Sequence, residues 1–172
     1  CAPGNAGIAA VAECVGLAIT DPAAVVAFVR EAGIGLVVVG PEAPLVAGVA
    51  DALRAAGVPV VGPSAAAAEL EASKGFTKDL CAANDIPTAR YRRFAGAADA
   101  HHYVAVHPLP VVVKADGLSA GKGVTVAQSN EEGLAALAEI RGPVVVEQCL
   151  EGPEASLFIL TDGETVRVLP TA

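Results

Sequence analysis

The sequence predicts an α/β fold in which a parallel, doubly wound domain is followed by an α+β region. In the first part of the chain, apolar β-branched runs alternate with helical segments in a β-α-β-α-β order, which implies a parallel sheet covered by helices. In the second part, two β-branched runs flank a turn at residues 114–123 that carries three glycines and two lysines. This second pattern is typical of a β-hairpin.

Composition and charge exclude several classes of protein. The 172 residues are 53% hydrophobic and 17% charged, which is too apolar for disorder and sufficient for one core or two small units sharing a cleft. The formal net charge of −8 argues against nucleic acid or an anionic membrane surface as the main partner. No apolar run approaches the ~20 residues that a membrane-spanning helix needs.

The cysteines and the start of the chain indicate its setting. The four cysteines, Cys1, Cys14, Cys81 and Cys149, lack C-x-x-C spacing, so the sequence predicts neither structural zinc nor a disulfide framework. A reduced, cytoplasmic setting fits these thiols best. The chain has no methionine and opens in mid-pattern, so we expect a piece of a longer protein whose natural N-terminus lies upstream.

Five elements are predicted in the first part of the chain. They are a strand at residues 17–19, a helix at 22–32, a strand at 34–39, a helix at 46–56 and a strand at 58–61. The first helix is expected to begin with Asp21 as its N-cap and Pro22 at its first position. Residues 34–39 form a continuous apolar run, which is the pattern of a strand buried on both faces.

Two loops of this first part are candidates for substrate contact. Residues 3–7, Pro-Gly-Asn-Ala-Gly, have the composition of a glycine loop that touches a substrate, and a plain turn is the open alternative. Residues 40–45 follow a predicted strand, at the sheet edge where open α/β proteins bind ligands. Glu42 lies there between two prolines. We interpret its carboxylate as a contact to a substrate amine or hydroxyl, with a solvated loop acid as the alternative.

The second part alternates helices with extended segments. In order, they are a helical stretch at 65–83 that breaks near 73–75, an extended segment at 86–91, a helix at 97–106, the hairpin, a helix at 131–140 with Asn130 as N-cap, a strand at 144–147 and a last hairpin at 157–169. Lys74 and Lys78 are four residues apart and share a helix face. The histidines, His101, His102 and His107, lack acidic or cysteine partners at ligand spacing and are expected at the surface.

The glycine-rich hairpin is the main candidate for chemistry. Lys114 ends a run that should be buried, so its ammonium needs a fixed negative partner, and a di- or triphosphate is the simplest one. Successive free N–H groups in a glycine turn form a concavity that attracts anions. The turn matches neither a Walker A loop nor a dinucleotide fingerprint. The hypothesis is a flap over phosphates, and an ordinary hairpin with solvated lysines is the alternative.

A second candidate segment follows the strand at 144–147. Residues 147–156 are dense in carboxylates and connect two strands. A nucleoside would use such a segment in two ways, because backbone groups can read the adenine edge while a carboxylate accepts from the ribose hydroxyls.

The order of these pieces resembles the ATP-grasp ligases, and within them the glycinamide ribonucleotide synthetase family. The motifs that carry the resemblance are residues 3–7, 40–45, 70–71, 73–74, 76–78, 86–89, 113–118, 120–123 and 147–156. The resemblance implies an N-terminal, pre-ATP-grasp domain at residues 1–72 that lacks its first strand. It also implies the first part of an ATP-grasp α+β domain at residues 73–172.

The resemblance further implies an activity and a set of site residues. The family uses ATP to convert the carboxylate of glycine into an acyl phosphate, from which the amine of 5-phosphoribosylamine displaces phosphate. By this analogy, the ATP-binding residues are Lys74, Lys114, Gly117, Ser119, Ala120, Gly121, Lys122, Gly123, Glu147, Gln148, Cys149, Leu150 and Glu154. The substrate-binding residues are Asn5, Gly7, Pro41, Glu42 and Pro44. No residue is assigned as catalytic.

The resemblance also has gaps that bear on function. The family's ligands for Mg²⁺ (or Mn²⁺) are expected after Ala172, so none is assigned in this chain and these residues alone should not turn over. We expect a monomer. Two other functions remain open: another ATP-grasp carboxylate–amine ligase, or a truncated module that binds ATP without chemistry.

Overall fold

The computed structural model describes residues 1–118 and 123–171. It combines helices with three sheets: a parallel pair of strands, a four-stranded antiparallel sheet and a two-stranded hairpin. No helix among the described residues is long and apolar enough to cross a membrane. The mixed helix and sheet class predicted from the sequence is therefore confirmed.

The first part of the chain is a small parallel sheet with helices. Its elements are α1 (Pro22–Glu31), β1 (Val37–Val38), α2 (Glu42–Val46), α3 (Val49–Ala55), β2 (Val60–Val61) and α4 (Ala65–Ala72). Strand β1 pairs in parallel with β2. The core between α1 and α3 contains Val25, Val29, Val49 and Leu53. Helix α1 begins as predicted, because Asp21 Oδ1 accepts hydrogen bonds from the amides of Ala23 and Ala24.

Three predictions for this part are wrong. Residues 17–19 are not a strand. The run 34–39 is not buried on both faces: Val37 and Val39 pack on the core, whereas Val38 is 69% exposed. Helices cover only one face of the strand, so its side chains alternate between buried and exposed. The predicted loop at 40–45 contains a helix instead, because Pro41 supplies the extended N-cap of α2, and Gly48, with φ of +83°, separates α2 from α3.

The second part is built around the antiparallel sheet. Its elements are α5 (Lys74–Ala83), β3 (Tyr91–Phe94), α6 (Ala97–Val106), β4 (Val111–Ala115), β5 (Val124–Ala127), α7 (Asn130–Glu139), β6 (Val144–Gln148), β7 (Ile159–Thr161) and β8 (Val166–Val168). The strand order is β3-β6-β4-β5. The helices α6 and α7 pack on one face of this sheet, over a core that includes Val104, Val113, Leu137 and Val146.

Two predicted helix ends can be compared with the structure: the break near residue 73 is correct, and the N-cap of α7 is not. The break near residue 73 is confirmed, since Ser73 ends α4 and its hydroxyl accepts from the amide of Phe76 to begin α5. The N-cap of α7 is Ser129 rather than Asn130. The Asn130 side chain instead donates to the carbonyl of Val104 at 2.8 Å and joins α7 to α6. A cap prediction from residue type alone could not anticipate this tertiary contact.

Candidate functional site

The pairing of β4 with β6 creates a face of the sheet that carries charge. Val112 lies opposite Glu147 in this pairing. Residues two apart in a strand share a face, so Lys114 and Glu147 project to the same side. Val113 and Val146 project to the other side, where they join the core under α6 and α7. The lysine and the carboxylate therefore lie on the face away from those two helices.

Glu147 is the centre of this charged face. Its Oε2 accepts from Lys114 Nζ at 2.9 Å and lies 3.1 Å from Lys78 Nζ, which α5 supplies. Glu147 is 4% exposed and Lys78 9%, whereas the side chain of Lys114 is 24% exposed. Glu147 Oε1 is buried and has no hydrogen-bond partner in the described part of the chain. A buried carboxylate oxygen normally has a partner, so this atom can accept a further donor.

Lys114 has a partner within the chain. The sequence requires a fixed negative partner for this lysine, and Glu147 of the same chain is one; contact with a phosphate stays a prediction. The sequence could not indicate this protein partner, because the register of β4 against β6, which brings the two residues together, cannot be read from either strand alone. Lys114 remains partly exposed, so it is still accessible to an anion.

Asp116 fixes the start of the glycine-rich turn against α5. Its Oδ1 accepts from the amides of Gly75 at 3.2 Å and Gly117 at 3.0 Å, and its Oδ2 accepts from Ser73 Oγ at 3.1 Å. Lys74 Nζ then donates to the carbonyl of Gly117 at 2.8 Å. Two segments about forty residues apart in sequence are thus joined at the entrance of the turn. The sequence does not indicate this role for Asp116, because the role depends on how α5 packs against the turn.

A second carboxylate holds α5 against the edge strand β3. Asp79 Oδ1 accepts from the Tyr91 hydroxyl at 2.8 Å, and Asp79 Oδ2 is paired with Arg93. The hydrogen bond from Tyr91 holds the pKa of Asp79 below its usual value. The same bond to an anionic acceptor raises the pKa of Tyr91. Arg93 Nη2 also lies 3.7 Å from Asp116 Oδ2, so this network reaches the entrance of the turn.

The ends of the turn form a hairpin as predicted. Ala115 N donates to Gly123 O at 2.7 Å, and both Gly117 and Gly123 have positive φ angles, +105° and +81°. Glycine adopts such angles without steric cost. The predicted ATP-binding residues Ser119, Ala120, Gly121 and Lys122 lie outside the described residues.

The segment after β6 is open to solvent. Gln148 ends the strand, its amide donates to Arg90 O at 2.9 Å, and its side-chain oxygen accepts from Arg90 Nε at 3.3 Å. Leu150 and Glu154 are exposed, and Cys149 is half-buried. The roles predicted for Gln148, Cys149, Leu150 and Glu154 in nucleoside binding stay predictions.

The predicted substrate residues lie in the first part of the chain, apart from the lysines. Asn5 Oδ1 accepts from the amide of Ile8 at 3.0 Å and Gly7 precedes a 3₁₀ turn at Ile8–Ala10. Glu42 is exposed in the first turn of α2. Pro41 and the buried Pro44 line an apolar cavity of about 250 Å³ next to β1. No lysine among the described residues lines this cavity. Substrate contact by these residues stays a prediction.

The described residues do not supply a metal centre. Within residues 1–118 and 123–171, no group of three or more His, Cys, Asp or Glu side chains could hold a metal ion. None of the described residues is therefore assigned to the divalent cation that the resemblance implies.

An antiparallel sheet that carries Lys114 on the face away from α6 and α7, next to a glycine-rich hairpin, defines the class: the fold is that of the ATP-grasp ligases. The phosphoribosylglycinamide synthetase models match both parts of the chain, the N domain over residues 1–71 and the ATP-grasp (A) domain over residues 72–172. The chain therefore belongs to the phosphoribosylglycinamide synthetase family.

Curated relatives agree with this family. The chain is 56% identical to a phosphoribosylamine–glycine ligase of Agrobacterium fabrum, over 99% of the chain and 42% of that protein. It is 55% identical to the enzyme of the same name from Streptomyces coelicolor, over 100% of the chain and 41% of that protein. The chain thus spans about two fifths of the length of these relatives.

Solved structures share the fold. The phosphoribosylamine–glycine ligase of Thermotoga maritima matches 65% of the chain with a TM-score of 0.60 and 31% identity, over 31% of its own length. The N5-carboxyaminoimidazole ribonucleotide synthetase of Thermus thermophilus matches 98% of the chain with a TM-score of 0.71 and 23% identity, over 45% of its own length. The second match concerns the fold alone.

Proposed function

We propose that this chain is part of an ATP-dependent ligase that joins glycine to 5-phosphoribosylamine and forms glycinamide ribonucleotide, ADP and phosphate. The observation that carries the proposal is the placement of Lys74 and Lys114 at the base of the glycine-rich hairpin, in a chain whose formal net charge is −8. A local group of lysines in an acidic protein favours a small phosphate compound, such as a nucleotide, over a nucleic acid.

The chemistry needs charge neutralisation more than covalent help. The glycine carboxylate attacks the γ-phosphorus of ATP and ADP leaves, after which the amine attacks the glycyl carbon and phosphate leaves. Phosphoryl transfer proceeds mainly through positioning and electrostatic stabilisation, which lysines and backbone amides supply. Lys114 is suited to this task because its side chain is partly exposed on the charged face of the sheet.

The remaining site residues take the roles that the family resemblance gives them. Lys74 and Lys114 would contact the ATP phosphates, and residues 117–123 would close over them. Residues 147–150 would line the adenine pocket and Glu154 would hold the ribose. The residues Asn5, Gly7, Pro41, Glu42 and Pro44 would face the ribosylamine. We further propose two domains, at residues 1–72 and 73–172, since the two family models meet at residues 71 and 72.

The setting of the protein is also part of the proposal. The cysteines of the described residues, Cys1, Cys14, Cys81 and Cys149, are free thiols, which fits a reducing compartment such as the cytoplasm. The Mg²⁺ or Mn²⁺ that we expect this ligase to require would be held by residues other than those described. We expect the full-length protein to act as a monomer on its two small substrates.

The test is an assay of ADP formation by the full-length protein. We expect release of ADP that requires glycine and 5-phosphoribosylamine together, and a loss of at least about a hundredfold in Lys114→Met, as expected when a cation aimed at transferring charge is removed. ADP release with glycine and a different amine, but not with ribosylamine, would assign the protein to another carboxylate–amine ligase. Tight ATP binding without ADP release would indicate a non-catalytic nucleotide-binding module.

A further inference from the structure

Lys78 is a buried lysine that has no place in the phosphate contacts described above. Its ammonium donates to Thr88 Oγ1 at 2.7 Å and to Ala89 O at 3.3 Å, and it lies 3.1 Å from Glu147 Oε2. An ammonium has three N–H donors, so these contacts use all of them. Lys78 cannot turn to a ligand without leaving buried acceptors unpaired.

Lys114 differs from Lys78 although both bind the same carboxylate oxygen. Among the described residues Lys114 has Glu147 as its ion-pair partner, at 2.9 Å, and its side chain is more than twice as exposed as that of Lys78. One carboxylate cannot neutralise two ammonium groups, so the three side chains carry a net charge of +1. Of the two lysines, Lys114 is the more accessible to an anion.

We propose that Lys78 is the permanent ion-pair partner, or counter-ion, of Glu147. Because Lys78 stays paired with Glu147, Lys114 is free to turn from Glu147 to the polyphosphate of a bound nucleotide. If Lys114 were the sole partner of Glu147, its departure would leave a buried carboxylate unpaired, and such a charge is strongly destabilising. Lys78 stays in place and removes that penalty. Lys78 is therefore a positioning residue that acts through Glu147 and Lys114, and this inference rests on the proposed function.

The test is a double-mutant cycle in the full-length protein, with AMP-PNP binding measured by calorimetry. In Lys78→Met, Glu147 should hold Lys114 as its last partner, so affinity should fall by about tenfold or more. In Lys78→Met/Glu147→Gln the competing charge is gone, so affinity should return to within about threefold of Glu147→Gln alone. Equal losses in both backgrounds would overturn the proposal, because a merely structural lysine has no reason to depend on the charge of Glu147.

Thr88→Val is the matched control. It removes a hydrogen-bond partner of Lys78 but changes no charge, so AMP-PNP affinity should stay within about threefold of the unaltered protein. A loss as large as that of Lys78→Met would contradict the counter-ion role. If Lys78→Met does not fold, the comparison of Glu147→Gln with the double variant carries the test, and a tenfold difference between them would overturn the proposal.

The two proposals fail in different ways. If the unaltered protein does not bind AMP-PNP, the proposed function fails. If it binds AMP-PNP and Lys114→Met weakens binding, but positions 78 and 147 are not coupled, only the counter-ion role fails.

Discussion

Glu147 and Asp116 organise the site in the same way, since each is a nearly buried carboxylate that joins distant segments of the chain. Glu147 binds lysines from α5 and β4 through one oxygen. Asp116 accepts hydrogen bonds from the amides of Gly75 in α5 and Gly117 in the turn, and from the hydroxyl of Ser73. A buried carboxylate destabilises the fold unless it is paired and hydrogen-bonded. These contacts therefore fix the geometry of the turn.

Asp116→Ala should therefore lower the free energy of unfolding by about 1–3 kcal/mol, since it removes the acceptor of the Gly75 amide and of the Ser73 hydroxyl. Asp116→Asn keeps an acceptor oxygen and should cost less. Urea denaturation of the full-length protein measures both variants. Equal losses for the two substitutions would mean that the negative charge, not the hydrogen bonds, is what Asp116 contributes.

Tyr91 should titrate above the usual range for tyrosine because its hydroxyl donates to the Asp79 carboxylate. Tyrosine ring resonances recorded by NMR over a pH series of the full-length protein follow this titration, and Tyr91→Phe identifies the resonance of Tyr91 by its loss. Asp79→Asn should lower the pKa of Tyr91 toward its ordinary value. No change between the unaltered protein and Asp79→Asn would show that Asp79 does not hold the proton on Tyr91.

The same pair sets a pH window for stability. The pKa of Asp79 is lowered, so its contribution is present above the ordinary carboxyl pKa and is lost as pH falls through the folded value. The pKa of Tyr91 is raised, so its contribution is present below the ordinary phenol pKa and is lost as pH rises through the folded value. The pair should therefore stabilise the contact of α5 with β3 across the whole neutral range.

At the scale of elements, helices and strands could be predicted from the sequence where neighbouring residues determine them. The helix at Ala97–Val106, the break at Ser73 and the strands of the glycine-rich hairpin were all predictable. The burial of residues 34–39 could not be predicted, because it depends on whether helices cover one face of the strand or both. Nor could the pairing of Lys114 with Glu147, which depends on strand register.

The contact between α6 and α7 depends on a glycine. A Cβ added at Gly133 would come within 2.7 Å of Val104 Cγ1, a side chain that is fully buried. Gly133→Ala should therefore be destabilising by about 1–3 kcal/mol, even though alanine is the better helix former.

Val104→Ala provides the control for this contact in thermal or urea unfolding. It removes the methyl group that would clash, so adding Gly133→Ala to it should be neutral or stabilising. A loss of the same size in both backgrounds would place the strain in the backbone of α7 instead.

At the scale of the whole molecule, burial differs between the four-stranded sheet and the residues that follow it. The four-stranded sheet has a buried core under α6 and α7. By contrast, every described residue from 151 to 171 is exposed, including the apolar side chains of β7 and β8. Since the chain spans about two fifths of its curated relatives, the tests above use the full-length protein.

The affinity of the full-length protein for AMP-PNP, measured by calorimetry in two matched variants, tests the central claim most directly. Lys114→Met removes the accessible cation of the charged face, and Arg30→Met removes a surface cation from α1. We predict at least a tenfold loss for Lys114→Met and a change of less than about threefold for Arg30→Met. Unchanged affinity in Lys114→Met would contradict the assignment of this face to nucleotide phosphates.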